Sequence, residues 1–150
     1  MDFEKFSKIT IIRINKEMDR ILADYRKEVK EVSRNLLPLV DKFIDSCKGG
    51  KRIRGVLVVL GYEIGKDHLR GEIIKIAAAY EIFHSAILAH DDIIDKSLLR
   101  RGQPSLFQAL GGDHRGISLA ICLADAGFFL ALKIISEANF PDKKKNEALK

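Results

Sequence analysis

Glu81-Ile82-Phe83-His84-Ser85-Ala86-Ile87-Leu88-Ala89-His90-Asp91-Asp92-Ile93-Ile94-Asp95 carries a long greasy stretch straight into three carboxylates. Residues 73–89 are apolar nearly all the way round, which is the pattern of a fully buried helix. Ionised carboxylates are not left unpaired in such surroundings, because desolvating one is very unfavourable. Asp91 and Asp95 are four residues apart, so on a helix they sit about 40° from each other around the axis. Carboxylate oxygens presented side by side suit a hard divalent cation, and Mg²⁺ typically takes one or two carboxylates plus substrate phosphates. Basic groups flank the carboxylates in Gly49-Gly50-Lys51-Arg52-Ile53-Arg54 and in Leu99-Arg100-Arg101-Gly102. Together these predict a polyphosphate held through metal ions.

Working outward, the chain reads as helix after helix. Apolar residues at three and four spacing (Phe6, Ile9, Ile14, Met18, Ile21, Leu22, Tyr25, Val29, Val32) predict an amphipathic helix over residues 3–32. A second helix is expected over 34–47 with Pro38 in its first turn, and a third over 52–64. A turn at 65–68 leads to the buried helix, 69–95, then a basic loop, 96–104, and a short helix, 105–110. Asp113 is the expected N-cap of a helix over 114–138, and Asp142 the cap of another beginning at Lys143. The sequence stops in that last helix's opening turns, which suggests a division between two polypeptides.

Composition bounds the class. Of 150 residues, 47% are hydrophobic and 31% charged, which excludes a disordered chain. No apolar run approaches the ~20 residues of a membrane span, and Met1-Asp2-Phe3-Glu4-Lys5 is no signal peptide, so no membrane span and a cytoplasmic protein are expected. Cys47 and Cys122 lie far apart and read as small buried hydrophobes. The net charge of +5 comes without a basic patch interleaved with aromatics, so no nucleic-acid partner is expected.

The glycine-basic run at 49–54, His84, Asp91-Asp92-Ile93-Ile94-Asp95 and Leu99-Arg100-Arg101-Gly102-Gln103-Pro104-Ser105 resemble, in order and spacing, the motifs of the trans-isoprenyl diphosphate synthases. That family includes the farnesyl and geranylgeranyl diphosphate synthases. Ala120-Ile121-Cys122-Leu123-Ala124-Asp125 is similar to its next helix. The resemblance implies an all-α fold, the N-terminal half of the isoprenoid synthase helical bundle, with residues 1–150 as one half-domain. Two departures, Gly55 where the family usually has Pro and Ala124 where it has Gly, remove no charged group. A third is an absence: no second aspartate-rich cluster follows the first. The expected partner is therefore a separate C-terminal polypeptide carrying that motif, in a hetero-oligomer with two copies of each chain.

By the same resemblance, Asp91 and Asp95 hold Mg²⁺ with Asp92 supporting, and Arg100 meets the allylic diphosphate. Lys51, Arg54, His84 and Arg101 hold isopentenyl diphosphate, whereas Arg52, His90 and Asp125 are expected to be structural or indirect. Ionisation of the allylic diphosphate, condensation and proton loss follow, giving farnesyl or geranylgeranyl diphosphate. Phe83, Ala86 and Ile87, upstream of the aspartates, are the expected chain-length residues. Two other readings compete. His68, His90-Asp91 and Asp125 satisfy the loose pattern of a helical metal-dependent phosphohydrolase but leave both basic motifs unexplained. A non-catalytic regulatory subunit is the other, although each charged ligand expected in this half is present.

Overall fold

The computed structural model describes residues 2–65 and 71–150. Among them are seven α-helices: α1 (Phe3–Val32), α2 (Leu37–Ser46), α3 (Ile53–Ile64), α4 (Gly71–Ile94), α5 (Leu106–Ala109), α6 (His114–Glu137) and α7 (Asp142–Ala148). The fold is all-α, as the periodicity predicts. The expected turn at 65–68 and helix start at Leu69 fall largely outside the described residues, as does His68.

α4 is the central helix, packed on α1, α3, α5 and α6. Its seam with α6 is built from small residues: Ala79, Ala86, Ala120, Ala124 and Ala131 are all fully buried. Gly127 takes this furthest, since a Cβ there would lie 2.5 Å from Phe43 Cζ and 3.2 Å from Ala86 Cβ. Close approach of this kind keeps the interior dense without large side chains. α1 lays Phe6, Ile14, Met18, Ile21 and Leu22 against the core, while Ile9 and Val32 of the expected stripe are exposed. A paired Arg26–Asp41 contact (2.6 and 3.0 Å) ties α1 to α2.

Several boundaries differ from the sequence reading. The second helix is preceded by a 3₁₀ turn, Arg34–Leu36, where the Ser33 hydroxyl accepts from the Asn35 N–H; Pro38 then sits in the first turn of α2. Asp113 caps α6 as expected, accepting from Gly116 N–H at 2.8 Å. α7 instead begins at Asp142 itself, and that side chain reaches forward to Lys145 at 2.9 Å. The basic loop contains a hairpin of two short strands, β1 (Leu99–Arg100) and β2 (Gln103–Pro104). Its two central residues, Arg101 and Gly102, have φ of 54° and 76°, the paired positive values of a type I′ turn.

α4 is not buried all round. Tyr80, Ile87 and Ile94 are exposed, and on α6 so are Ile121, Leu132 and Phe129, the last 71% exposed. Cys122 belongs to this uncovered side of α6 and is exposed, against the expectation of a buried thiol; Cys47 is buried. Both α4 and α6 are long and apolar enough to cross a bilayer by length and composition. In α4 that apolarity goes into the core, whereas much of α6 is left uncovered.

Candidate active site

α4 organises the site. One face points into a cleft of about 1030 Å³ walled by the end of α2, the Gly49–Arg54 turn, the hairpin and the start of α5. Glu81, His84, Ser85, Leu88 and Asp92, at three and four spacing along α4, form its floor. Lys51, Arg54, Arg100 and Arg101 line the same cleft. The structure thus gathers every expected diphosphate-binding residue of this chain in one place. Asp91 and Asp95 are not in that lining.

The Gly49–Arg54 turn owes its shape to a run of left-handed residues, Gly49 (φ 72°), Gly50 (φ 91°) and Arg52 (φ 50°). Only glycine adopts the first two without strain. The group that approaches the glycines in this structure is Arg101, whose guanidinium would lie 2.8 Å from a Cβ at Gly50. Arg101 donates to the carbonyls of Lys48 (2.7 Å) and Gly49 (3.0 Å), just past the C-terminal end of α2. There the helix's partial negative charge favours a cation. The hairpin and the glycine turn are therefore latched together, with Arg101 as the bolt.

Arg100 is held from below. Asp92 is 2% exposed, and its carboxylate receives both Nε (3.0 Å) and a terminal nitrogen of Arg100. This is how the apolar helix accommodates a buried carboxylate: it is paired and bidentate. Asp92 also fixes the hairpin's approach through its carbonyl, which accepts from Ser97 N–H at 2.8 Å. Asp92 was expected to support a metal ion; in the structure its carboxylate is taken up by Arg100. The Asp92 pairing is the main cause that raises the Arg100 pKa from its ordinary value. For the His84 imidazole, half-buried in the cleft, burial and then the nearby Arg54 charge push the pKa down.

Asp91 is half-buried in the last turn of α4, seven residues after His84 and so on nearly the same side of the helix, and Asp95 is exposed just past its end; both charges act on Arg100. Among the described residues neither carboxylate has an ion-pair partner, and no group of three or more His, Cys, Asp or Glu is close enough to hold a metal ion. Two hard oxygen donors at one helix end fit a Mg²⁺ ion that takes its remaining ligands from water and phosphate. Beside them an aromatic strip runs along the α4–α6 seam: Tyr80 stacks on Phe83 (6.4 Å), Phe83 meets Phe128 (4.8 Å), and His90 stacks on Phe128 (5.4 Å). His90 Nε2 lies 3.3 Å from Asp125 Oδ1 and Nδ1 contacts the Ala86 carbonyl at 3.1 Å. These two residues do meet, but as a link between helices rather than as ligands arranged with Asp91. Of the expected chain-length residues, Phe83 and Ile87 belong to the open side; Ala86 is fully buried against Gly127 and Phe43, away from it.

A profile of the polyprenyl synthetase family matches residues 37–150. The chain belongs to that family. It is similar to the short chain isoprenyl diphosphate synthase of Methanocaldococcus jannaschii, 33% identical over 129 residues that cover 83% of this chain and 37% of the relative. It is also similar to heptaprenyl diphosphate synthase component 2 of Geobacillus stearothermophilus, 47% identical over 58 residues, 39% of this chain and 18% of that one. The crystal structure of geranylgeranyl pyrophosphate synthase from Corynebacterium glutamicum, complexed with isoprenyl diphosphate and magnesium, superposes with a TM-score of 0.69 at 25% identity. That alignment covers 89% of this chain and 41% of the synthase. The chain spans less than half the length of each of these relatives.

Two further residues belong to the cleft wall: Glu81, which the sequence reading did not single out, and Arg52, which it expected to act indirectly. Glu81 and Arg52 are buried in its wall, 3% and 5% exposed. Glu81 stands three residues before His84 on the same face of α4, a polar residue inside an apolar helix, and that was the available signal.

Proposed function

We propose that this chain is a subunit of a Mg²⁺-dependent short-chain trans-prenyltransferase, completed by a separate polypeptide carrying the second aspartate-rich motif. The observation that carries this reading is the set of charged groups along α4 and at its end. Along it, a single cleft gathers His84 of α4 with Lys51, Arg54, Arg100 and Arg101. At its end, the two carboxylates best suited to a metal have no ion-pair partner among the described residues. That Mg²⁺ site would supply charge neutralisation to a departing diphosphate.

In this reading Lys51, Arg54, His84 and Arg101 hold the diphosphate of isopentenyl diphosphate in the cleft. Arg100, aimed by Asp92, faces the allylic diphosphate and stabilises negative charge as its carbon–oxygen bond breaks and the electron pair leaves with the diphosphate. The isopentenyl double bond then forms the new carbon–carbon bond, and a proton is lost from the adduct. The aromatic strip of Tyr80, Phe83 and Phe128 excludes water from the allylic cation and lies along the path of the growing chain. With Phe83 as the first bulky ring upstream of the aspartates, farnesyl to geranylgeranyl diphosphate is the expected product range. The uncovered apolar side of α4 and α6 is where the second polypeptide packs, in an assembly with two copies of each chain. An obligate contact of this kind commonly buries over ~2,000 Å².

The test is to assay the purified chain with dimethylallyl and isopentenyl diphosphates and Mg²⁺, alone and with a candidate C-terminal polypeptide. Turnover is expected only with both chains present. Robust turnover by this chain alone overturns the divided-enzyme reading.

A further inference from the structure

Within the diphosphate reading, we infer that Arg52 and Glu81 are positioning residues for the cleft, fixing from behind the direction in which Lys51 and Arg54 point. α3 begins without a side-chain cap of its own: Arg52 occupies the N-cap position in a left-handed conformation and offers no capping bond. The cap comes from another helix. Glu81 of α4 accepts the Gly55 N–H at 2.7 Å, satisfying a first-turn donor that a helix cannot pair internally. A carboxylate there also suits the helix's positive end. Gly55 makes the approach possible, since a Cβ would lie 2.9 Å from Ile14 Cδ1 and 3.1 Å from Glu81 Cγ. The departure from proline at this position thus keeps an N–H that Glu81 uses.

Arg52 closes the arrangement. Its Nε donates to Asn15 Oδ1 of α1 (2.8 Å) and a terminal nitrogen donates to the Cys47 carbonyl at the end of α2 (2.9 Å). The remaining nitrogen faces Glu81 Oε2 at 3.8 Å and has no hydrogen bond. One guanidinium therefore ties α1, the end of α2 and α4 to the residue between Lys51 and α3. The Arg52 carbonyl also starts α3, accepting from Val56 N–H at 3.0 Å. Lys51 and Arg54, on either side of this anchor, inherit their direction from it.

Electrostatics alone gives the opposite expectation, and that makes the inference testable. Glu81 is an anion in the wall of an anion site, so neutralising it should tighten diphosphate binding if charge is all it contributes. As a positioning residue, its loss should weaken binding. Glu81→Gln keeps an acceptor for Gly55 N–H and removes the charge facing Arg52. The experiment is calorimetric titration of the full chain with inorganic pyrophosphate in metal-free buffer, with thermal melting alongside.

A fall in affinity of about tenfold is expected for Glu81→Gln, the scale of one charge-assisted contact. In the completed enzyme the same variant should raise KM for isopentenyl diphosphate while leaving KM for the allylic substrate unmoved. Unchanged or tighter pyrophosphate binding overturns the inference. Should Glu81→Gln fail to fold, Asn15→Ala decides it: this removes one contact to Arg52, leaves the buried charges, and is expected to weaken binding several-fold. Absence of pyrophosphate binding by the wild-type chain takes down the diphosphate reading itself, and this inference with it.

Discussion

Two faces of α4 run the same length at the same spacing and are finished to different degrees. Glu81, His84, Ser85, Leu88 and Asp92 face a cleft whose walls this chain supplies, and its buried charges meet partners within the chain. Tyr80, Ile87 and Ile94 face outward with the uncovered side of α6, while Phe83 is half-buried behind them and Asp91 stands between the two faces. Cationic sites for phosphate can be made from one chain because each arginine can lean on carbonyls or a carboxylate nearby, as Arg101 and Arg100 do.

The largest effect should come from the carboxylates at the end of α4. In the completed enzyme, Asp91→Ala and Asp95→Ala are expected to lower turnover on the order of 10³-fold, since the metal's stabilisation of the leaving diphosphate goes with them. Metal-free pyrophosphate binding by the chain alone should not change in either variant. Weaker metal-free binding in Asp91→Ala would break the comparison, because the two faces would then share their ligand.

Next in size are the residues of the seam behind the open face. Gly127→Ala places a Cβ against the Phe43 ring, and Ala86→Phe forces a ring into the same fully buried contact. Each is expected to cost about 1–3 kcal/mol or more in denaturant unfolding. Ile87→Phe, one residue further round on the exposed side, should stay within about 0.5 kcal/mol of wild type. Chain-length effects should follow the same division. Ile87→Phe is expected to shorten products and Phe83→Ala to lengthen them, read by chromatography, whereas Ala86→Phe acts through folding.

How much of this was legible in the sequence depends on what each residue answers to. The bounds of α1 and the Asp113 cap followed from local periodicity and local chemistry, and the structure has both. The hairpin was hidden because two-residue strands cannot show alternation, and Arg101 is an unfavourable residue for a left-handed turn position. Glu81 was passed over because its partners, Gly55 N–H and Arg52, are some 26 to 29 residues away. The outward stripe of α4 and the exposure of Cys122 depend on what else packs there, which composition does not state. The cations of the cleft were legible as a motif set, but that Asp92 aims Arg100, and stands apart from Asp91 and Asp95, required the fold.

Cys122 reports on the open face directly. In the chain alone it is exposed and should react freely with a thiol reagent, while Cys47, buried and with its thiol pushed up to about 11, serves as the unreactive internal control. Assembly with the second polypeptide is expected to slow labelling of Cys122 about tenfold, as an interface core excludes water and reagent. Labelling at an unchanged rate in the active assembly would place the contact elsewhere on the chain. Mass spectrometry of the two cysteine peptides reads this without any assay of turnover.

The smallest effect concerns the His84 imidazole in the cleft and the direction in which its proton moves. Burial first, and then the Arg54 charge, hold the His84 pKa below the ordinary 6.5 in the free chain. The unfolded chain therefore takes up this proton more readily than the folded one, so the folded state loses stability as pH falls below 6.5 toward the lowered value and keeps it above. A bound diphosphate reverses the local field: its negative charge favours the imidazolium and raises the pKa again. Binding near pH 6 should then be accompanied by proton uptake at His84, visible as a dependence of the binding enthalpy on the buffer's ionisation enthalpy. Pyrophosphate carries protons of its own in this range, so the quantity that decides is the difference between wild type and His84→Asn. The expectation is a smaller uptake in the variant with only a few-fold loss of affinity, because Lys51, Arg54 and Arg101 still hold the anion. Equal uptake in both proteins would mean that His84 does not face the diphosphate, and the cleft's ligand would then be held by its arginines and lysine alone.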